Sequence, residues 1–312
     1  MIRYALRRLA YSVPMLFGLA SLVFVLLNAL PNDIAERRAG EEASPEAIAA
    51  IRADLGLDRP LTERYWEWVT AVLTGDFGVS WHNGQSVLTG IVQTAPITLS
   101  MVVLSLVVAL VIGVPIGALA ATRGGLADRG LVGATVVAMA VPNFWLALVL
   151  VLFFALSMGW FPATGYVDLS ASPGEWLRHL VLPVAAVATV SISVIARQTR
   201  SAMLENLGRD YVRTLRAAGV DERSVVYKHV LKNAATPVLT TFGIQFVALS
   251  GGSIIVEQVF AVPGLGQHTL TALARGDVPV VLGILVLTAA AVVVINLAVD
   301  LMNAAVNPKV RL

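Results

Sequence analysis

The sequence predicts an all-α polytopic membrane protein with six transmembrane helices. Three observations carry that prediction. Of the 312 residues, 57% are hydrophobic and only 13% are charged, with a mean hydropathy of +0.78. The apolar runs are continuous instead of alternating, which selects helices over barrel strands. The connecting segments alternate in charge. Soluble domains are about one-quarter charged, so a soluble enzyme, a disordered chain and a fibrous protein are all excluded. The absence of cysteine excludes disulfides, Cys-ligated zinc, Fe–S clusters and thiol nucleophiles. A net charge of +2 reports where the arginines sit relative to a membrane, not nucleic-acid binding.

A span needs about 20 apolar residues. The first candidate, Leu9 to Leu30, contains no charge, and neither does the second, Ile97 to Ala121. The first run is longer than a signal-peptide core and no small-residue cleavage site follows it, so it reads as a retained span. The third, Leu131 to Met158, is interrupted by Pro142, which removes a backbone donor. It reads as one kinked, tilted helix with Phe144 to Met158 as its outer part. The fourth, Leu180 to Ala196, is short, with Pro183 near its start. The fifth, Thr236 to Val256, carries Gln245 and the pair Gly251-Gly252, read as close packing or a kink. The sixth, Val278 to Val299, is followed by Asp300.

Segment charges set an expected orientation. Arg3, Arg7 and Arg8 precede the first span. Residues 31–96 hold 5 Lys/Arg against 10 Asp/Glu, and residues 197–235 hold 8 against 4. The 122–130 loop and the tail, with Lys309 and Arg311, are basic. The 159–179 and 257–279 loops are acidic. The positive-inside rule therefore places both termini, 122–130 and 197–235 in the cytoplasm. The expected organisation is an N-terminal segment and first helix over 1–30, an extracytoplasmic segment over 31–96, and a core of five helices over 97–312.

Segment 31–96 opens with Pro31-Asn32-Asp33 and has a helical pattern from Pro45 to Leu55. Its aromatics, Tyr65, Trp66, Trp68, Phe77 and Trp81, read as an interfacial belt plus packing. A docking surface or lid at an outer mouth is the sharper alternative.

Residues 197–235 are long for a connection between spans, which predicts structure of their own. Gly208 ends the helix extending from the fourth span. Asp210 suits an N-cap, Tyr211 to Ala218 reads as a two-turn helix, and Gly219 fits the left-handed stop. Asp221 and Glu222 suit the start of a second helix and Lys228 and Lys232 its last turns, each complementing the dipole. Tyr227, Val230, Leu231 and Ala234 recur at helical spacing and predict one apolar face. A basic amphipathic helix lying on the inner leaflet would explain the arginines. It leaves unexplained the small residues Ala217-Ala218-Gly219, which permit close approach by another protein.

This segment resembles the cytoplasmic EAA loop of ABC importer membrane subunits, in the form found in dipeptide, oligopeptide and nickel permeases. Gly219 takes the motif's Gly place, Arg213-Thr214-Leu215 its Glu-Ala-Ala place and His229 its Ile place. Leu231 keeps the Leu and Lys232 replaces the Pro. The peptide-type branch is similar to Tyr211-Val212-Arg213-Thr214, Arg216-Ala217 and Gly219, followed by His229, Asn233 and Pro237. The resemblance extends over RYALRRLAYSVPMLFG at the start, LGLDRPLTERYWEWVTAVLTGDFGVSW at 55–81, VPNFWLALVLVLFFA at 141–155, GWFPATGY at 159–166, VFAVPGLGQ at 259–267 and the terminal NPKVRL.

The resemblance implies a MetI-like ABC permease core with an extracytoplasmic insertion between helices 1 and 2. It implies residence in a bacterial or archaeal cell (inner) membrane. The implied partners are a second homologous permease, two ATP-binding subunits at the cytoplasmic face, an extracytoplasmic solute-binding protein and the lipid bilayer. The implied ATPase-coupling residues are Asp210, Tyr211, Arg213, Thr214, Arg216, Ala217, Ala218, Gly219, Asp221, Glu222 and His229. No phosphate loop of the G-x-x-x-x-G-K-[ST] type occurs, so ATP and Mg belong to the partner ATPases and this chain is expected to hold no cofactor.

Polar residues in the spans offer either interhelical bonds or a pathway lining. Asn143, Gln245 and Asn296 are the possible pathway-lining residues, and Asn28 is a further polar group in a span. Asp300 reads as a helix-end charge that is solvated or paired with Arg311. Val262-Pro263-Gly264-Leu265-Gly266 reads as a turn or re-entrant segment, with Glu257 and His268 solvated beside it. His82, His179, His229 and His268 are scattered without metal-ligand spacing, and no catalytic constellation is present. The resemblance implies a pore-forming subunit for peptides or similar small solutes. Nickel chelates or glutathione are alternative cargoes, and a secondary transporter is an alternative class.

Overall fold

The computed structural model describes residues 2–29, 34–40 and 43–306. The side chains of Arg3, Arg7 and Arg8, the Pro31-Asn32-Asp33 opening, and Lys309 and Arg311 with the rest of NPKVRL lie outside the described residues. Among the described residues the secondary structure is helical, with only an isolated bridge between Val79 and Ser86. In order the helices are α1 Ile2–Ala29, α2 Ile34–Ala39, α3 Pro45–Asp54, α4 Leu61–Leu73, α5 Val87–Arg123, α6 Gly125–Ala140 and α7 Asn143–Leu150. There follow α8 Pro173–Leu207, α9 Asp210–Ala217, α10 Leu231–Gly252, α11 Ile254–Val259, α12 Leu265–Arg275 and α13 Val278–Val306.

Among the described residues five helices are long and apolar enough to cross a membrane, and up to six spans result if one bent pair counts as a single span. That pair is the third predicted span. The sequence suggests one kinked helix, whereas Asp128–Ala140 and Asn143–Ser157 meet at 94°. Proline at 142 forces its predecessor out of the helical region, and Val141 is extended at φ −81°, ψ 121°. A new helix then starts with the Leu146 N–H on the Pro142 carbonyl. At about 1.5 Å per residue, the 37-residue α5 and 35-residue α8 reach about 55 Å and 52 Å. Both outrun a hydrocarbon core of about 30 Å. The fourth span is therefore not short: it begins at Pro173, where Ser172 caps the Glu175 N–H.

The chain divides into two compact units. One contains 6–97 and 263–293. Its core gathers Phe24, Val278 and Leu282 with Tyr65, Trp68 and Trp81, and Val87, Ile91, Val280 and Ile284 with Phe77. The aromatics of 65–81 are thus mostly packing residues, Trp66 excepted at 60% exposure. Asn28 accepts from Arg64 at 2.6 Å. Asp277 holds the loop before α5: its Oδ1 accepts from the Trp81 N–H at 3.0 Å and its Oδ2 from the Ser80 hydroxyl.

The other unit contains 98–262 with 2–5 and 294–306. Here α5 and α8 cross in close contact at Gly113 and Gly117. A Cβ on Gly113 would sit 2.8 Å from the Ile192 carbonyl, and one on Gly117 2.3 Å from that of Ala196. This is the small-x-x-x-small packing of membrane helices. Gly251 and Gly252, by contrast, face open space. The pair marks where α10 stops before Ser253, so the close-packing reading is corrected. Asp300 lies within α13, half-buried, and not at its end.

Glu257 corrects a second expectation. It is completely buried, not solvated, and its Oε1 accepts from Thr98 of α5 at 2.7 Å and from Ser253 at 3.4 Å. The following turn ends α11 with Ala261 in the left-handed region at φ 50°, the Val262 N–H bonding back to the Glu257 carbonyl.

Candidate functional site

The segment after α8 folds as helix, turn, helix. Asp210 lies inside the first turn of α9; Arg209 occupies the N-cap position without a side-chain cap. Asp210 therefore complements the helix dipole instead of capping it. At the far end Gly219 has φ +76°. The Gly219 N–H bonds the Arg216 carbonyl at 3.0 Å and the Val220 N–H bonds the Leu215 carbonyl at 3.1 Å, which is the Schellman stop. Glycine is required because a side chain there meets backbone strain, not a neighbour: nothing lies within 4 Å of its Cβ position. Asp221 then accepts from the Arg223 N–H at 3.1 Å and starts the next helix.

That helix opens with a π-helical turn, Ser224–Val230, whose Val226 carbonyl accepts from the Leu231 N–H. The wider turn shifts the buried face. The sequence period puts Tyr227 on the apolar side, but Tyr227 is 54% exposed while Val225, Val226, Val230 and Ala234 are buried. Five-residue spacing brings Val225 and Val230 to one side. They pack with Val212 of α9, Ala202 and Met203 of α8, and Ala118 and Ala121 of α5.

This small core fixes which side of α9 is free. Val212 points in, Tyr211 and Leu215 are half-buried, and Asp210, Arg213, Thr214 and Ala217 form the exposed side, continued by Ala218 and Gly219. Tyr211 donates to Asn206 at 3.4 Å. Arg213 meets Asp210 at 3.5 Å. Arg216 donates from Nε and Nη2 to the two carboxylate oxygens of Glu222, at 3.0 and 2.6 Å. The guanidinium holds the Glu222 carboxyl below its ordinary range, and the carboxylate raises Arg216. His229 is half-buried. The result is a polar knuckle tipped by the small residues Ala217, Ala218 and Gly219.

One clamp joins residues remote in the sequence. Arg200 makes a bidentate pair with Asp128, at 2.5 and 2.6 Å, tying α8 to α6. Each residue is an ordinary loop-region charge in the sequence, and only the fold brings them together across 72 positions. The Gly113–Gly117 spacing was the readable signal for the α5–α8 contact.

The possible pathway-lining residues are not brought together with this segment. Gln245 is buried and donates to Ser191 at 2.8 Å, joining α10 to α8. Asn296 on α13 lies beside Gly243, its Oδ1 3.3 Å from that residue's Cβ position. Asn143 begins α7, and its Oδ1 is buried without a hydrogen-bond partner among the described residues. Among the described residues no cluster of metal-ligating side chains is present.

Two family models match the chain. One, described as a binding-protein-dependent transport system inner membrane component, matches residues 113–312. The other, the N-terminal part of such membrane components, matches residues 1–102. The chain is 36% identical to the di/tripeptide transport system permease protein DppB of Pseudomonas aeruginosa, covering 100% of this chain and 99% of the relative. It is 39% identical to the glutathione transport system permease protein GsiC of Salmonella choleraesuis, at 100% and 99%. Among solved structures, an inward-facing MetNI methionine ABC transporter chain matches with a TM-score of 0.57. That match has 24% identity and covers 70% of this chain and 97% of that one; it shows the fold.

Proposed function

The chain belongs to the family of binding-protein-dependent transport system inner membrane components, and from that premise we propose that it is a permease subunit of an ATP-driven importer for short peptides. A second permease would complete the pathway, two separate subunits would bind ATP and Mg, and a solute-binding protein would deliver cargo. The reading is that of a pore-forming, non-catalytic chain with both termini in the cytoplasm. The relatives' peptide and glutathione cargoes support small peptides as the class.

The observation that carries the mechanism is the knuckle of α9 and Gly219. ATP must act through another chain, because this one has no phosphate loop. A lever for that action must be exposed, shaped and stiffly joined to the spans. Asp210, Arg213, Thr214 and Ala217 to Gly219 are exposed. The buried contacts of Val212 with Val225, Met203 and Ala118 connect them to α8, α5 and the helix leading into α10. Movement of an ATPase cleft around the knuckle would thus be passed on as rigid-body displacement of those helices. Arg216 and Glu222 keep the turn closed, and His229 lies on the following helix.

Two experiments test this. Gly219→Pro and Ala218→Trp are expected to abolish transport and release the ATPase subunits on purification; unchanged transport together with full ATPase retention overturns the coupling role. Because the chain has no native cysteine, Ser224→Cys reports the side of the membrane. It is expected to resist an impermeant thiol reagent applied to intact cells, and labelling from outside overturns the orientation.

A further inference from the structure

The unit of 6–97 and 263–293 holds a cavity of about 410 Å³ lined by Ile34, Arg38, Trp81, His82, Arg275 and Asp277. A smaller polar cleft of about 50 Å³ shares His82, Arg275 and Asp277 with it and continues toward Ser86 and Thr271. The charges in the larger cavity are not balanced. Among the described residues Asp277 is the one acid of its wall, held by Ser80 and the Trp81 N–H, and its single negative charge stands against the two arginines. Arg38 and Arg275 are exposed, and neither forms an ion pair among the described residues.

We propose that this cavity binds the carboxylate of a small solute, with Arg38 and Arg275 as its cationic partners and the Trp81 indole as its apolar wall. Planar guanidinium groups match a carboxylate with paired hydrogen bonds. The volume lies within the range of small-molecule sites, about 300–1,000 Å³. The Ser80–Asp277–Trp81 bonds fix the wall before any ligand arrives, so binding does not have to order it. Identification of the solute as a short peptide, bound by its C-terminal carboxylate, rests on the function proposed above; the carboxylate site itself does not.

The test uses the complete transporter in lipid nanodiscs. Phenylglyoxal modification of individual arginines is followed by peptide mass spectrometry in the presence of succinate, dialanine or dialanine amide. Succinate and dialanine are expected to slow modification of Arg275, and the amide is not; Arg178, exposed elsewhere, stays unaffected. Arg38→Ala is expected to raise the dialanine concentration for half-protection of Arg275 about tenfold, the weight of one charge-assisted bond. Arg38→Lys, which keeps the charge, restores part of that. Labelling of Arg275 that neither carboxylate changes overturns the site. So does protection that only added solute-binding protein confers, which would mean a protein side chain occupies the cavity. Protection by succinate without dialanine uptake into proteoliposomes leaves the site standing and removes the peptide reading. Dialanine uptake without protection removes the site and leaves that reading intact.

Discussion

Arg216 spans the left-handed turn at Gly219 and pairs with Glu222 through two nearly parallel hydrogen bonds. The pair closes the knuckle from outside while Val212 and Val225 close it from within. Because the folded-state pKa of Glu222 is lowered, first by the hydrogen bond from Arg216, the pair's contribution is fully present above the ordinary glutamate value of about 4.3. It is lost as pH falls through the depressed folded value. Both groups are exposed, so the effect is small and screened by salt. Protection factors of the α9 amides, corrected for the intrinsic exchange rate at each pH, are expected to fall on acidification. Arg216→Ala and Glu222→Gln are expected to remove that pH dependence, and the double variant is expected to be no worse than either alone.

At the α5–α8 crossing, Gly117 has no space for a methyl group, with the Ala196 carbonyl 2.3 Å from its Cβ position. Gly117→Ala is expected to destabilise by about 1–3 kcal/mol through overpacking. Gly133→Ala, where nothing lies within 4 Å, is the control and is expected to be neutral or slightly stabilising, since Ala is the better helix former. Thermal unfolding in detergent distinguishes the two.

Glu257 joins α11 to α5 through Thr98. Glu257→Ala removes the acceptor of a buried hydroxyl and is expected to cost about 1–3 kcal/mol. Glu257→Gln keeps an acceptor oxygen and is expected to lose less. Equal melting midpoints for the two variants would show that the Thr98 bond contributes nothing.

His268 packs over Gly90, its Cε1 2.9 Å from that residue's Cβ position, with Nδ1 3.5 Å from the Thr94 hydroxyl. Burial lowers its pKa, partly opposed by the charge of Asp277. For a base with a depressed folded pKa, the unfolded chain binds the extra proton between the two values. Stability is therefore full above the ordinary histidine value of about 6.5 and falls as pH drops through the folded one. Exchange of amides around α12 is expected to follow that window, and His268→Gln is expected to flatten it.

The apolar runs, the helix–Gly–helix pattern of 197–235 and the family resemblance are legible in the residues alone. These depend on composition and local spacing, which hold whatever the chain packs against. Gly219 was legible because a left-handed residue is a local demand of its own turn. Pro142 was legible as an interruption, but the 94° angle was not, because a missing donor permits a range of bends. Tertiary structure alone decided which face of 224–234 is buried, since the π-helical turn shifted the period. It paired Arg200 with Asp128 and Ser80 with Asp277, and it placed Glu257 inside instead of in solvent. A charge in a sequence carries no record of its partner; burial and pairing are properties of the packed helices, and they settle only when distant segments meet.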